Sequence, residues 1–260
     1  MTESFWDKRA RTFAGKPSPT LSISAHDEDY KEYKSFLQRR AIFGLFKLDK
    51  SMTVLDAGCG VGRWSFEIAP KVKRLYGTDI SGGMIAIANG LRKEKNAANA
   101  KFLKAPADKL PFKDGFFDAV LVVTVLQHVP EKRLGRAVAE LARVCRKGGR
   151  ICVLESTREE ARSAYLHPRS LQEWELLFKR HGFAMKKWAA IAVVPLDPLF
   201  GAAASLKLKV SHGKRKPGAR SGVSKLLKRM VLFGSLPFDT HLAKMFGSRS
   251  NQKAMLFERA

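Results

Sequence analysis

The stretch VLDAGCGVGRWSFEIAP, residues 54–70, decides the fold. A short apolar run closes on an acid, Asp56, and is followed by glycines at the alternate positions Gly58, Gly60 and Gly62, after which a helical pattern begins. This reads as a strand, a turn and a helix. Glycine lets a ligand come close to the main chain, and the exposed N–H groups of a helix start favour an anion. The dinucleotide fingerprint places its third glycine three residues after the second, where this chain has Arg63, and a phosphate loop requires a Gly-Lys-Ser/Thr that does not follow. A ligand with an amino-acid end suits the turn better, since its ammonium needs an acceptor and its carboxylate needs N–H donors.

Outward from this stretch, apolar runs at 53–56, 74–78, 100–104, 117–123, 150–154, 183–194 and 252–259 read as strands. Helical patterns at 62–69, 83–95, 131–144 and 170–180 separate them. Continuous apolar strands alternating with helices predict a parallel sheet covered on both faces, a doubly wound α/β sandwich. The last two strands have no helix between them, which predicts an antiparallel hairpin at a sheet edge. Residues 1–50 read as a helical N-terminal cap, 51–194 and 251–260 as the ligand-binding domain, and 195–250 as a basic insertion or lid. In an open α/β sheet ligands sit beyond the carboxyl ends of the strands. Two more acids fall there: Asp79, in YGTDIS, is placed to accept the hydroxyls of a ribose, and Asp108, in APADKLPF, to accept from an adenine amino group.

Of the 260 residues, 48 are Lys or Arg and 24 are Asp or Glu, a formal charge of +24. Residues 201–260 alone hold 13 basic residues against Asp239 and Glu258. Such a balance favours anionic partners and says nothing of the fold. The longest candidate for a membrane span, 189–206, is broken by Pro195, Asp197 and Pro198, so no span and a cytoplasmic location are expected. Cys59, Cys145 and Cys152 lack metal or disulfide spacing.

As a set, VLDAGCGVG, GTDIS, APADKLPFKDGFFDAV, LQHV and LARVCRKGGRICVLES resemble, in order, the class I S-adenosylmethionine-dependent methyltransferases, within them the group that methylates small molecules. The resemblance implies a seven-stranded Rossmann-like sheet with an antiparallel last strand and S-adenosylmethionine as cofactor. It further implies that Asp56, Gly58, Gly60 and Gly62 line the methionine end, and that Asp79 holds the ribose and Asp108 the adenine; Ile80, Ala107 and Thr124 are further candidates to touch the cofactor, with Thr124 alternatively only finishing its strand.

The sulfonium methyl is already activated, so the protein's task is to align the acceptor and exclude water, worth roughly 7–11 kcal/mol at best. The fourth strand ends in VTVLQH, without the Asn/Asp-Pro-Pro-aromatic motif of base amino methylation and without a cysteine nucleophile. His128 stands where a general base would sit, for transfer to oxygen, or serves to cap or pack the helix after Pro130. Tyr30 and Tyr33 in the cap are candidates to cover the acceptor, as is Arg169 in the loop before 170–180, where Ser170 and Glu173 form a capping-box pattern. In GVSKLLKRMVLFG, the apolar positions 223, 226, 227 and 230 make a short basic amphipathic helix over 223–233, which reads either as a contact for an anionic membrane or lipid or as a lid. A small-molecule or lipid-like acceptor is therefore expected; the alternatives are an RNA acceptor held by the basic tail, and a cofactor-binding adaptor without catalysis.

Overall fold

A computed structural model describes residues 3–11, 28–157, 166–191 and 252–259. Two helices come first, α1 (Glu3–Arg11) and α2 (Glu28–Leu45). The sheet then alternates with helices: β1 (Thr53–Ala57), α3 (Ser65–Ile68), β2 (Arg74–Asp79), α4 (Gly82–Glu94), β3 (Ala100–Lys104), β4 (Phe117–Val123), α5 (Glu131–Val144), β5 (Cys145–Ser156), α6 (Leu171–Lys179), β6 (Phe183–Ala190) and β7 (Gln252–Arg259). The seven strands lie in the order β3-β2-β1-β4-β5-β7-β6. β1 pairs in parallel with both β2 and β4, and β7 runs antiparallel between β5 and β6. The order reverses between β1 and β4, so the crevice at their carboxyl ends is where such a sheet takes a ligand.

Alternate residues of each central strand enter different cores, which is why the strands read as unbroken apolar runs. Val54 and Leu121 pack on one face with Ile42 and Phe46 of the α2 region. Leu55, Val120 and Val122 pack on the other, with Leu134, Val138 and Leu141 of α5 and Trp174 and Phe178 of α6. Each such leucine or phenylalanine contributes roughly 1.5–3 kcal/mol by leaving water. α2 thus shares the core of the sheet.

Three boundaries differ from the sequence reading. β5 begins at Cys145 rather than 150, because Phe117 pairs with Cys145 and Ala119 with Arg150, while residues 146–149, with Gly148 at φ 66°, bulge between the two pairs. The helix expected at 62–69 is only Ser65–Ile68, followed by a tight turn at Ala69–Lys71, where Pro70 lacks the donor a longer helix needs. β6 ends at Ala190, and 192–194 lie outside the described residues. The capping box on α6 forms: Glu173 N–H donates to Ser170 Oγ, and Ser170 N–H to the Glu173 carboxylate at 2.7 Å. The insertion at 195–250, with its helix at 223–233, lies outside the described residues. Among the described residues no helix is long and apolar enough to cross a membrane.

Candidate functional site

The glycine turn is knitted to the end of β2. The N–H groups of Gly58 and Cys59 both donate to the Thr78 carbonyl, at 2.7 and 2.8 Å. Gly60 N–H donates to Asp79 Oδ2, and Ser81 N–H to Asp79 Oδ1, each at 2.9 Å. Both carboxylate oxygens are thereby oriented, and each retains a lone pair for a further donor. Burial raises the Asp79 pKa, against the pull of the two N–H groups. Gly58, Gly60 and Gly62 all have positive φ, and a Cβ on Gly58 would stand 2.2 Å from Val125 Cγ2. The turn from β1 and the turn after β4 are in direct contact here.

A cavity of about 200 Å³ opens at this crevice. Of the residues the sequence singled out, Gly58, Gly60, Asp79, Ile80, Ala107, Asp108, Thr124 and His128 line it. Asp108 accepts from Arg133 Nε at 2.7 Å and Nη2 at 2.5 Å, and this pairing holds its carboxyl below the usual range. Asp56 and Gly62 are not among the lining residues. Asp56 is 1% exposed beneath the turn, where Ser65 Oγ donates to it at 2.5 Å, and burial pushes its pKa up to about 7. Arg169 is also outside the cavity: it is buried, pairs with Glu131 and lies over the Trp174 ring. It joins the start of α5 to the loop before α6. Tyr30 and Tyr33 fall on α2, where their side chains lie outside the described residues.

The cavity also takes residues that sequence reasoning missed. Trp6 and Arg9 reach it from α1. That helix docks on α4, with Asp7 Oδ1 accepting from Ser81 Oγ at 2.5 Å and from Gly83 N–H at 3.1 Å, and with Ala10 packed beside Val61 and Met84. Trp6 then stands edge-on to His128, ring centroids 5.6 Å apart. Arg63, whose position excluded the dinucleotide fingerprint, lines the cavity beside Trp64, its guanidinium 4.3 Å from that ring, and burial lowers its pKa to about 10. The signal available in sequence was Arg63 in the turn itself. Nothing local marks Trp6.

The turn after β4 is held from below by Glu155, at 0% exposure near the end of β5. Its Oε1 accepts the N–H groups of Val125 and Leu126 at 2.9 and 2.8 Å, and its Oε2 that of Gln127 at 3.4 Å. Burial pushes its pKa up to about 8. Thr124, just before the clamp, is a β-branched residue at φ 54°, a conformation that persists only when its surroundings impose it. Cys145 and Cys152 are buried thiols pushed up to about 12, poor nucleophiles at neutral pH.

The donor set suits S-adenosylmethionine. Asp79 has lone pairs for ribose hydroxyls, Ile80 and Ala107 offer apolar walls to a flat base beside Asp108, and Arg63 with the open glycine backbone suits a carboxylate. When bound, that group supplies a methyl on a sulfonium, already activated for displacement.

A family model described as a methyltransferase domain matches residues 54–149. An uncharacterized methyltransferase, YcgJ of Bacillus subtilis (strain 168), is 26% identical over 186 residues, 64% of this chain and 73% of that protein. The ubiquinone/menaquinone biosynthesis C-methyltransferase UbiE of Rhizobium rhizogenes (strain K84 / ATCC BAA-868) is 38% identical over 111 residues. That match takes in 41% of this chain and 42% of the relative, so the chain spans about two fifths of it. In fold, the chain is similar to the crystal structure of the [4+2]-cyclase SpnF, with a TM-score of 0.64 at 19% identity, covering 100% of this chain and 97% of that one. A cyclase on this fold means that architecture alone does not fix the reaction. Residues 54–149 match a methyltransferase-domain model and the sheet is seven-stranded with β7 antiparallel, so over this region the chain is similar to the class I S-adenosylmethionine-dependent methyltransferases.

Proposed function

We propose that this protein transfers the methyl group of S-adenosylmethionine to a small or lipid-like acceptor, at oxygen, in the cavity between α1 and the turn after β4. The observation that carries the proposal is the make-up of that cavity. Asp79, Asp108 and Arg63 match the polar groups of the cofactor, while Trp6, Trp64, Met84, Val125 and Val129 offer an apolar, partly aromatic lining to an acceptor. In this reading Asp79 binds the ribose, Asp108 and Ala107 the adenine, and Arg63 the carboxylate. Trp6 and the clamped turn exclude water and hold the acceptor in line, which is where most of the protein's contribution to an already activated transfer lies. A second reading, transfer to carbon, is favoured by the 38% identity to a relative named as a C-methyltransferase. The RNA alternative draws on the basic insertion, which lies outside the described residues.

The test has two steps. A ligand that binds only the native state raises the thermal midpoint, by about 2.7 kcal/mol of stability at a hundredfold excess over Kd. S-adenosylmethionine and its demethylated product are both expected to do so. Cofactor with a labelled methyl group is then incubated with phenols, quinols and hydroxylated lipids, and the product is analysed for O-methyl against C-methyl. Label appearing only in added RNA, or no transfer by a protein that binds the cofactor, refutes the acceptor assignment.

A further inference from the structure

Gln127 is 5% exposed and bound through every part of its length. Its backbone N–H faces Glu155, its carbonyl accepts the His167 N–H at 2.8 Å, and its side-chain Oε1 accepts the Ser156 N–H at 2.8 Å. The last of these bonds decides the orientation of the amide. A backbone N–H can only donate, so the atom facing Ser156 is the oxygen, and the other end is the –NH2 group. That nitrogen stands 3.3 Å from His128 Nε2. An amide –NH2 has hydrogens and no usable lone pair, so the imidazole nitrogen opposite it must present its own lone pair.

We propose that Gln127 is a positioning residue that holds His128 as the neutral imidazole protonated on Nδ1, with Nε2 accepting from the Gln127 amide. The proposal rests on the reading of this cavity as the acceptor site. Of the two roles the sequence leaves open for His128, general base or packing, this geometry removes Nε2 from the first, because its lone pair is already engaged and a proton there would face the amide hydrogens. His128 then serves as an oriented wall of the cavity, set on one side by Gln127 and on another by the edge of Trp6. An acceptor hydroxyl must lose its proton elsewhere than to Nε2, or the nucleophile must need no such base. Ser156 and Glu155 lie together at the end of β5, so one strand end fixes both the backbone of the turn and the tautomer of the imidazole it carries.

The tautomer is read directly in the full chain by long-range proton–nitrogen correlation of ring-labelled histidine, with His128→Asn assigning the signal among the 6 histidines. The expected wild-type pattern has the proton on Nδ1. Gln127→Glu is the discriminating variant: one carboxylate oxygen still accepts from Ser156, while the other now demands an N–H from His128. It is expected to shift the proton to Nε2 or to protonate both nitrogens. A wild-type ring protonated on Nε2 or on both nitrogens, or a pattern that Gln127→Glu leaves unchanged, overturns the proposal. Neither cofactor nor acceptor enters this measurement. A failed transfer assay with the expected tautomer therefore counts against the function alone, and transfer with the other tautomer against the inference alone.

Discussion

Replacing Gly58 by alanine tests whether the cofactor turn and the turn after β4 are one rigid assembly. The residue has φ 75°, and an added Cβ would lie 2.2 Å from Val125 Cγ2, 2.9 Å from Cγ1 and 3.1 Å from Cβ. The left-handed conformation costs a non-glycine residue about 1–2 kcal/mol. Forcing a methyl into packed side chains costs a further 1–3 kcal/mol or so. Gly58→Ala should then destabilise by about 2–5 kcal/mol, a large share of the roughly 5–15 kcal/mol of a typical domain. The two contributions separate in a double-mutant cycle. Val125→Ala removes both Cγ atoms and leaves only the 3.1 Å approach, so in its presence the packing cost of Gly58→Ala should vanish while the backbone cost stays. The expected coupling is about 1–3 kcal/mol, measured by urea unfolding at constant m-value. Because both residues line the cavity, the single variant should also weaken cofactor affinity at least tenfold, about 1.4 kcal/mol, in calorimetry. A Gly58→Ala protein within about 0.5 kcal/mol of wild type, or a cycle without coupling, would refute the assembly.

Three further outcomes are expected. Asp79→Ala strips the Gly60 and Ser81 N–H groups of their acceptor and should lower cofactor affinity by roughly 10–100-fold, at 1.5–3 kcal/mol for a hydrogen bond to a charged group; an affinity within threefold of wild type would disprove the ribose role. Glu155→Gln keeps an oxygen for Val125 and Leu126 and loses the 3.4 Å contact to Gln127, so it should cost about 1–2 kcal/mol, whereas Glu155→Ala leaves three buried N–H groups unpaired and should cost several kcal/mol more; equal denaturation midpoints for the two would contradict the clamp. Asp56 ionises near pH 4 when unfolded but holds its proton to about 7 when folded, so the native state binds more protons between those values and stability falls as the pH rises from 4 to 7, by an amount of order 4 kcal/mol, then levels above. Asp56→Asn, which keeps an acceptor for Ser65, should flatten that part of a stability profile, and an unchanged slope would assign it to other groups.

Where the structure departs from the sequence reading, the cause is a contact between distant parts of the chain. Asp56 ends β1 as Asp79 ends β2, and both are acids at a strand's carboxyl end; only the fold sets Ser65 over the first and leaves the second at the cavity. Arg169 reads as a candidate to cover the acceptor, yet Glu131 and Trp174 take it up away from the cavity. β5 shows the converse error. Its apolar run begins at 150, yet Cys145 already pairs with Phe117 of β4, and residues 146–149 bulge between that pair and Ala119–Arg150.

By itself the sequence determined the order of the strands and helices, their burial on two faces, the edge hairpin, the capping box on α6 and the glycine turn with Asp79 and Asp108 beyond their strands. All of these are written in local patterns, since periodicity, caps and turn residues act over a few positions. Tertiary structure alone decided that α1 brings Trp6 to His128, that Glu155 holds the turn after β4, and that Gln127 faces the imidazole with its amide hydrogens. Those relations depend on which remote element lands on which strand end, and a side chain's own neighbours in sequence carry no record of that.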